Sequence, residues 1–255
     1  MATYQKRGAK KSISKQDVDN AQQHEESTTA EVFESLDVQA SRTEEFVAKN
    51  QNLILSAIGA ITVVVLGYLA YDTYVMTPQK ASAVSELNQA QYYFNLAVNQ
   101  DDADMLYQRA IEGGQGKYGF QDIIDNYGGT PAAALAQYSS GMAYLNLKEY
   151  QKAIDYLEQF SADDVLLSAL AKGAIGDAHA ALGNNEKALA SYKAAIGQSD
   201  NSFTTPKYLF KAGLLSSSLG QNKDALDYFK RIEEEYPDAV EARQIGIQIG
   251  RLAIQ

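Results

Sequence analysis

The 255-residue sequence predicts an all-α chain, with one transmembrane helix followed by a solenoid of antiparallel helix pairs. Three observations carry that prediction. Leu53 to Tyr71 is a run of 19 residues without a charge. A pattern of small and large residues recurs at spacings of 35 and 37 in the C-terminal half. No segment alternates convincingly between apolar and polar residues, as a half-buried strand does.

The uncharged run lies within N-L-I-L-S-A-I-G-A-I-T-V-V-V-L-G-Y-L-A-Y-D-T-Y-V, Asn52 to Val75. As a helix, Leu53–Tyr71 spans roughly 28 Å, against ~30 Å for the hydrocarbon core of a bilayer. Tyr68, Tyr71 and Tyr74 gather at one end, where aromatic rings favour the membrane interface. A buried core helix seldom stays apolar all round for this length. A cleaved signal peptide has a shorter apolar stretch nearer the N-terminus, and here residues 1–51 precede the segment. Ser56, Gly59 and Ala60 put small residues on one face, a spacing suited to a partner helix and also common by chance.

Residues 1–51 read as a largely disordered tail. They are rich in Gln, Ser, Thr, Lys and Glu, with too little apolar surface to offset chain entropy, except for a short possible helix at Ala30–Leu36. The tip carries Lys6, Arg7, Lys10, Lys11 and Lys15 without an acid, and serves either as a topology signal or as a contact for anionic headgroups. With Arg42 and Lys49 before the span and Lys80 after it, the basic bias places the N-terminus in the cytoplasm. Residues 76–255 are then extracytoplasmic.

Three segments align without gaps from Ala136, Ala171 and Tyr208. Gly141, Gly176 and Gly213 coincide, as do Ala153, Ala188 and Ala225, and Leu157, Tyr192 and Phe229. In each unit the glycine lets two helices approach, the alanine shares that contact, and the large residue fills the gap to the next unit. Gly183-Asn184-Asn185 and Gly220-Gln221-Asn222 end helices. The first unit departs with Leu147-Lys148-Glu149, and the second lacks an early aromatic residue, having Lys172 there. The pattern predicts helices at Pro131–Leu147, Tyr150–Phe160, Val165–Leu182, Asn185–Ile196, Thr205–Leu219 and Lys223–Glu235, with a capping helix at Ala239–Ala253. Upstream, Gln79–Val98 and Ala103–Glu112 form a degenerate repeat, Tyr107-Gln108-Arg109-Ala110-Ile111 echoing the second-helix pattern.

A period near 34 with this pattern resembles the tetratricopeptide repeat. Pro237 falls where that repeat often places proline. The resemblance implies that first helices line an inner surface. Its usual inward positions fall on Leu135, Tyr138, Met142, Leu145 and Asn146, then on Leu170, Gly173 and Asp177, then on Lys207, Phe210 and Leu214. These residues either form a partly apolar groove for protein partners or pack against the capping helix and the insertion near Phe120.

Other chemistry finds little footing. Gly114, Gly116 and Gly119 make a formal G-x-G-x-x-G, but they follow a helix and no βαβ unit surrounds them, so a dinucleotide site is not expected. They should instead end one helix and let the chain reverse. Phe120, Ile123, Ile124 and Tyr127 would then plug a short helix onto the stack. The chain has no cysteine. Its two histidines are His24 and His179, and Asp177 does not share a helical face with His179. A net charge of −10 argues against nucleic acid. Glu233-Glu234-Glu235 and Asp163-Asp164 read as a solvated helix end and a loop or N-cap. The sequence therefore predicts no enzyme, cofactor, metal or small-molecule substrate. Its expected partners are membrane lipid through one span, and proteins.

A short tail, one span and an extracytoplasmic repeat domain together resemble the YfgM-like bacterial inner-membrane proteins, over roughly residues 45–255. Gly176 to Ile196 and Tyr118 to Ala133 carry the resemblance best. It implies an ancillary subunit of the Sec translocon working with periplasmic chaperones on exported chains. The competing reading is an adaptor for envelope machinery, in division or outer-membrane biogenesis.

Overall fold

The computed structural model describes residues 46–254. The expectations for the basic tip and for Ala30–Leu36 lie outside the described residues. The chain divides into two units between Ala70 and Tyr71. Among the described residues there is no strand, and one isolated bridge pairs Gly114 with Lys117.

The first helix, α1, covers 46–71. Among the described residues Leu53, Leu55, Ile58, Ile61, Val63, Val64 and Leu66 are all exposed, although each is strongly apolar. The helical run Phe46–Val98 contains a window of mean hydropathy 2.4, long and apolar enough to cross a membrane. A π-helical turn, Asp72–Met76, leads into α2, Thr77–Val98. Pro78 gives a reason for that turn. It lacks the N–H that would bond the Tyr74 carbonyl, and its ring would crowd that carbonyl in a regular α-helix.

The second unit is a series of helical hairpins. After α2 come α3 (Asp104–Glu112), α4 (Phe120–Asn126), α5 (Pro131–Asn146), α6 (Tyr150–Gln159), α7 (Val165–Ala181) and α8 (Asn185–Ile196). The series ends with α9 (Thr204–Ser218), α10 (Asn222–Glu235) and α11 (Ala242–Ile254). From α5 to α10 each helix overlaps its predicted span, because side-chain period and caps agree. Thr130 caps α5 by accepting from Ala133 N–H at 3.2 Å, and Asp164 caps α7 by accepting from Leu166 and Leu167 at 2.9 and 3.0 Å. The capping helix begins at Ala242 rather than at Ala239, because turns follow Pro237.

The α5–α6 turn repeats the others despite its sequence. Glu149, Asn184 and Gln221 each donate a backbone N–H to the carbonyl five residues back, at 2.9 Å in all three. Gly183 and Gly220 sit at φ 76° and 73°, and Lys148 takes the equivalent place at φ 62°. Lysine therefore adopts a conformation that costs a side chain energy and glycine little.

The core is built chiefly from alanine. Ala153, Ala188 and Ala225 are fully buried in the three second helices. Phe120 and Ile123 of α4 pack with Ala83, Leu87 and Ala90 of α2 and with Ala132 and Ala136 of α5. Ile245 of α11 joins Phe229 and Ile232 of α10, closing the far end of the stack.

Candidate partner-binding surface

Within each unit the aligned residues meet. A Cβ on Gly141 would lie 2.5 Å from Leu157 Cγ, and one on Gly176 or Gly213 would lie 2.5 Å from Cε1 of Tyr192 or Phe229. Side chains are therefore excluded at all three glycines. The large residue fills the gap towards the next unit, as expected, and also fills space over its own first helix. Leu157 also clusters with Ala171 and Ala174 of α7, and Phe229 with Ile245 of α11.

Between the second and third units the contact is aromatic and polar. The Tyr208 ring lies directly over Gly173, where any Cβ would overlap it. Tyr208 stacks on Tyr192 with centroids 6.2 Å apart and planes 16° apart. The Tyr192 hydroxyl donates to Asp177 at 2.8 Å. Burial first, then the Asp177 charge, holds both tyrosine hydroxyls well above their ordinary pKa, so they stay protonated donors. Lys211 grips both Asp177 oxygens at 2.6 Å. Three helices, α7, α8 and α9, thus converge on one carboxylate. The early aromatic residue missing from α7 is supplied by α9.

The predicted inward residues take different places. Tyr138, Met142 and Leu145 are half-buried against the Leu157–Ala171–Ala174 cluster, and Tyr138 tilts against Phe160 with centroids 5.5 Å apart. Leu170 and Phe210 are half-buried against other clusters, Phe210 lying 6.0 Å from Phe229. Lys207 stands 5.7 Å from the Tyr208 ring centroid. Gly173 is buried beneath Tyr208, so it lines no open surface. Asn146 and Leu214 are exposed, Asn146 donating to the Met142 carbonyl at 2.8 Å.

Leu135 opens elsewhere. It lines a cleft of about 700 Å³ between the start of α5 and the α6–α7 connection, together with Gly128, Gly129, Ala134, Phe160, Asp163 and Leu167 among others. None of the other predicted inward residues lines it. Sequence alignment gave no sign of the cleft, because it forms where Phe160–Asp164 leaves the repeat pattern.

The glycine loop closes on itself. Gly114 and Lys117 exchange backbone hydrogen bonds at 3.2 and 3.1 Å around Gln115 and Gly116, both at positive φ, as in a tight hairpin turn. Gly119 then passes so near the Ile111 carbonyl that a Cβ would collide with backbone. Asp122 accepts from the Gly119 N–H at 3.1 Å. The N–H groups of Gly113, Gly114, Lys117 and Gly119 are thus taken up by the chain itself. His179 is buried, and burial first, then the charge of Lys187, lowers its pKa. Among the described residues no three His, Asp or Glu side chains gather as a metal site.

Models of the tetratricopeptide repeat match residues 120–164, 138–203 and 207–239. The first match opens at Phe120, so it takes in α4 ahead of the repeat read from Ala136. No curated protein matches the chain. The matched stretch and the hairpin geometry support a protein-interaction scaffold built of tetratricopeptide repeats, with one helix among the described residues long and apolar enough to cross a membrane.

Proposed function

We infer that this protein is a membrane-anchored adaptor of the bacterial inner membrane, an ancillary translocon subunit that passes exported chains to extracytoplasmic chaperones. The observation that carries this reading is the joining of an apolar span to tetratricopeptide repeats. The span, residues 52–75, anchors the protein beside the translocon. The excess of basic residues before it favours a cytoplasmic N-terminus and a periplasmic repeat domain. Tethering raises the effective concentration of the repeats near emerging chains, so individual contacts can be weak. The predicted inward residues other than the buried Gly173 form the partner surface. Leu214 and Asn146 are its exposed positions, while Tyr138 and Phe210 also hold the stack together.

Photocrosslinkers placed along 52–75 in native membranes test this. Recovery of translocon subunits is the expected result. Recovery of division or outer-membrane assembly proteins alone would favour the envelope-adaptor reading instead.

A further inference from the structure

We propose that the cleft between the start of α5 and the α6–α7 connection binds a short peptide segment in which apolar side chains adjoin lysine or arginine. This rests on the scaffold reading above and gives it a specificity.

The cleft has the dimensions and surface for such a guest. Its volume, about 700 Å³, falls in the range of sites that enclose small ligands. Leu135, Phe160 and Leu167 supply apolar surface, while Gly129 and Ala134 keep the wall free of long side chains. Val165 and Leu166, in the first turn of α7, are exposed next to Leu167. An apolar segment would cover surface that otherwise faces water.

Charge selects the flanking residues. Asp163 is the only ionisable side chain lining the cleft. Residues 117–172 contain seven acidic and four basic side chains: Lys117 lies in the glycine loop, Lys148 and Lys152 lie in the α5–α6 turn and the first turn of α6, and Lys172, in the adjoining hollow beside Phe160, donates to Gln198. Asp164 adds a second carboxylate beside Asp163 as the N-cap of α7. The N-terminus of α5, which also borders the cleft, offers an anion few free N–H donors. Pro131 has no N–H, Thr130 N–H donates to Tyr127 O, and Ala133 N–H is taken by the Thr130 hydroxyl. A cationic, apolar segment therefore meets a complementary field, and an acidic one meets like charge.

The experiment uses the full chain in lipid nanodiscs and a labelled peptide of leucines flanked by lysines, read by fluorescence anisotropy. Two control peptides replace the lysines with glutamate or the leucines with serine. The lysine–leucine peptide should bind best of the three. Asp163→Lys should weaken it about fivefold at low salt, with the loss shrinking as salt rises. Ala134→Phe, which fills the cleft, should weaken it about tenfold with unchanged helicity. Failure of the peptide to bind, equal binding of the glutamate peptide, or unchanged binding in both variants would each overturn the proposal. Translocon crosslinks that persist after such a failure would leave the adaptor reading standing. A peptide preference that persists without those crosslinks would refute the translocon reading alone.

Discussion

The two junctions between the three aligned units solve one packing problem in opposite ways. At the first, α5 offers a large residue, Tyr138, and α7 answers with small ones, Ala171 and Ala174. At the second, α7 offers Gly173 and α9 answers with the Tyr208 ring. Gly173 aligns with Tyr138, and Tyr208 aligns with Ala171. Size is exchanged across the interface. The second junction adds a salt bridge from Lys211 to Asp177, whereas the α6–α7 connection beside the first leaves a cleft. One repeat can thus make a joint that is closed and a joint that leaves room for a guest.

Exchange of size is most directly broken at the second junction. Tyr208→Ala should cost about 3–5 kcal/mol, since it empties a fully packed site. Gly173→Ala in the native background should cost about 1–3 kcal/mol by forcing the ring aside. With Tyr208→Ala already present, the same change should instead stabilise, by up to about 1 kcal/mol, because alanine is the better helix former. Chemical denaturation of all four proteins would show whether the sign reverses. A Gly173→Ala cost that is the same in both backgrounds would mean the ring is not what excludes a side chain there.

The polar part of the comparison is smaller. Asp177→Asn removes an ion pair whose side chains are about one-third exposed, 32% and 30% for Lys211 and Asp177. Solvent screening reduces its worth, and about 1 kcal/mol is expected, lessened further at high salt. Denaturation midpoints measured at low and high salt would check this. The smallest effect concerns the turns. Lys148→Gly should raise stability by about 0.5–1 kcal/mol, because the left-handed conformation is native to glycine. A thermal melt showing no gain would indicate that the lysine side chain makes an offsetting contact.

Much of the fold was legible in the sequence because its signals are local. Gly141, Gly176 and Gly213 announced close helix pairs, and each meets the large residue predicted from the same alignment. The helix ends followed from Gly183, Gly220 and Pro237, whose backbone preferences act within a few residues. Lys148 hid the first turn because its conformation is imposed by the hydrogen bonds around it rather than by its own preference. Contacts between units were harder to foresee. Tyr208 over Gly173 and Lys211 on Asp177 depend on how one helix rotates against another, which the alignment does not specify. The partner surface was legible as a set of positions, but not as exposure: several of those side chains also serve as packing, and the cleft beside Leu135 came from an irregular connection.

Nearly all the packing in the second unit joins helices that are neighbours in sequence, or next neighbours. Such a chain needs no distant segment before its first hairpins can settle. A polypeptide threaded across a bilayer from one end could therefore consolidate hairpin by hairpin as it emerged, each completed pair becoming the template for the next.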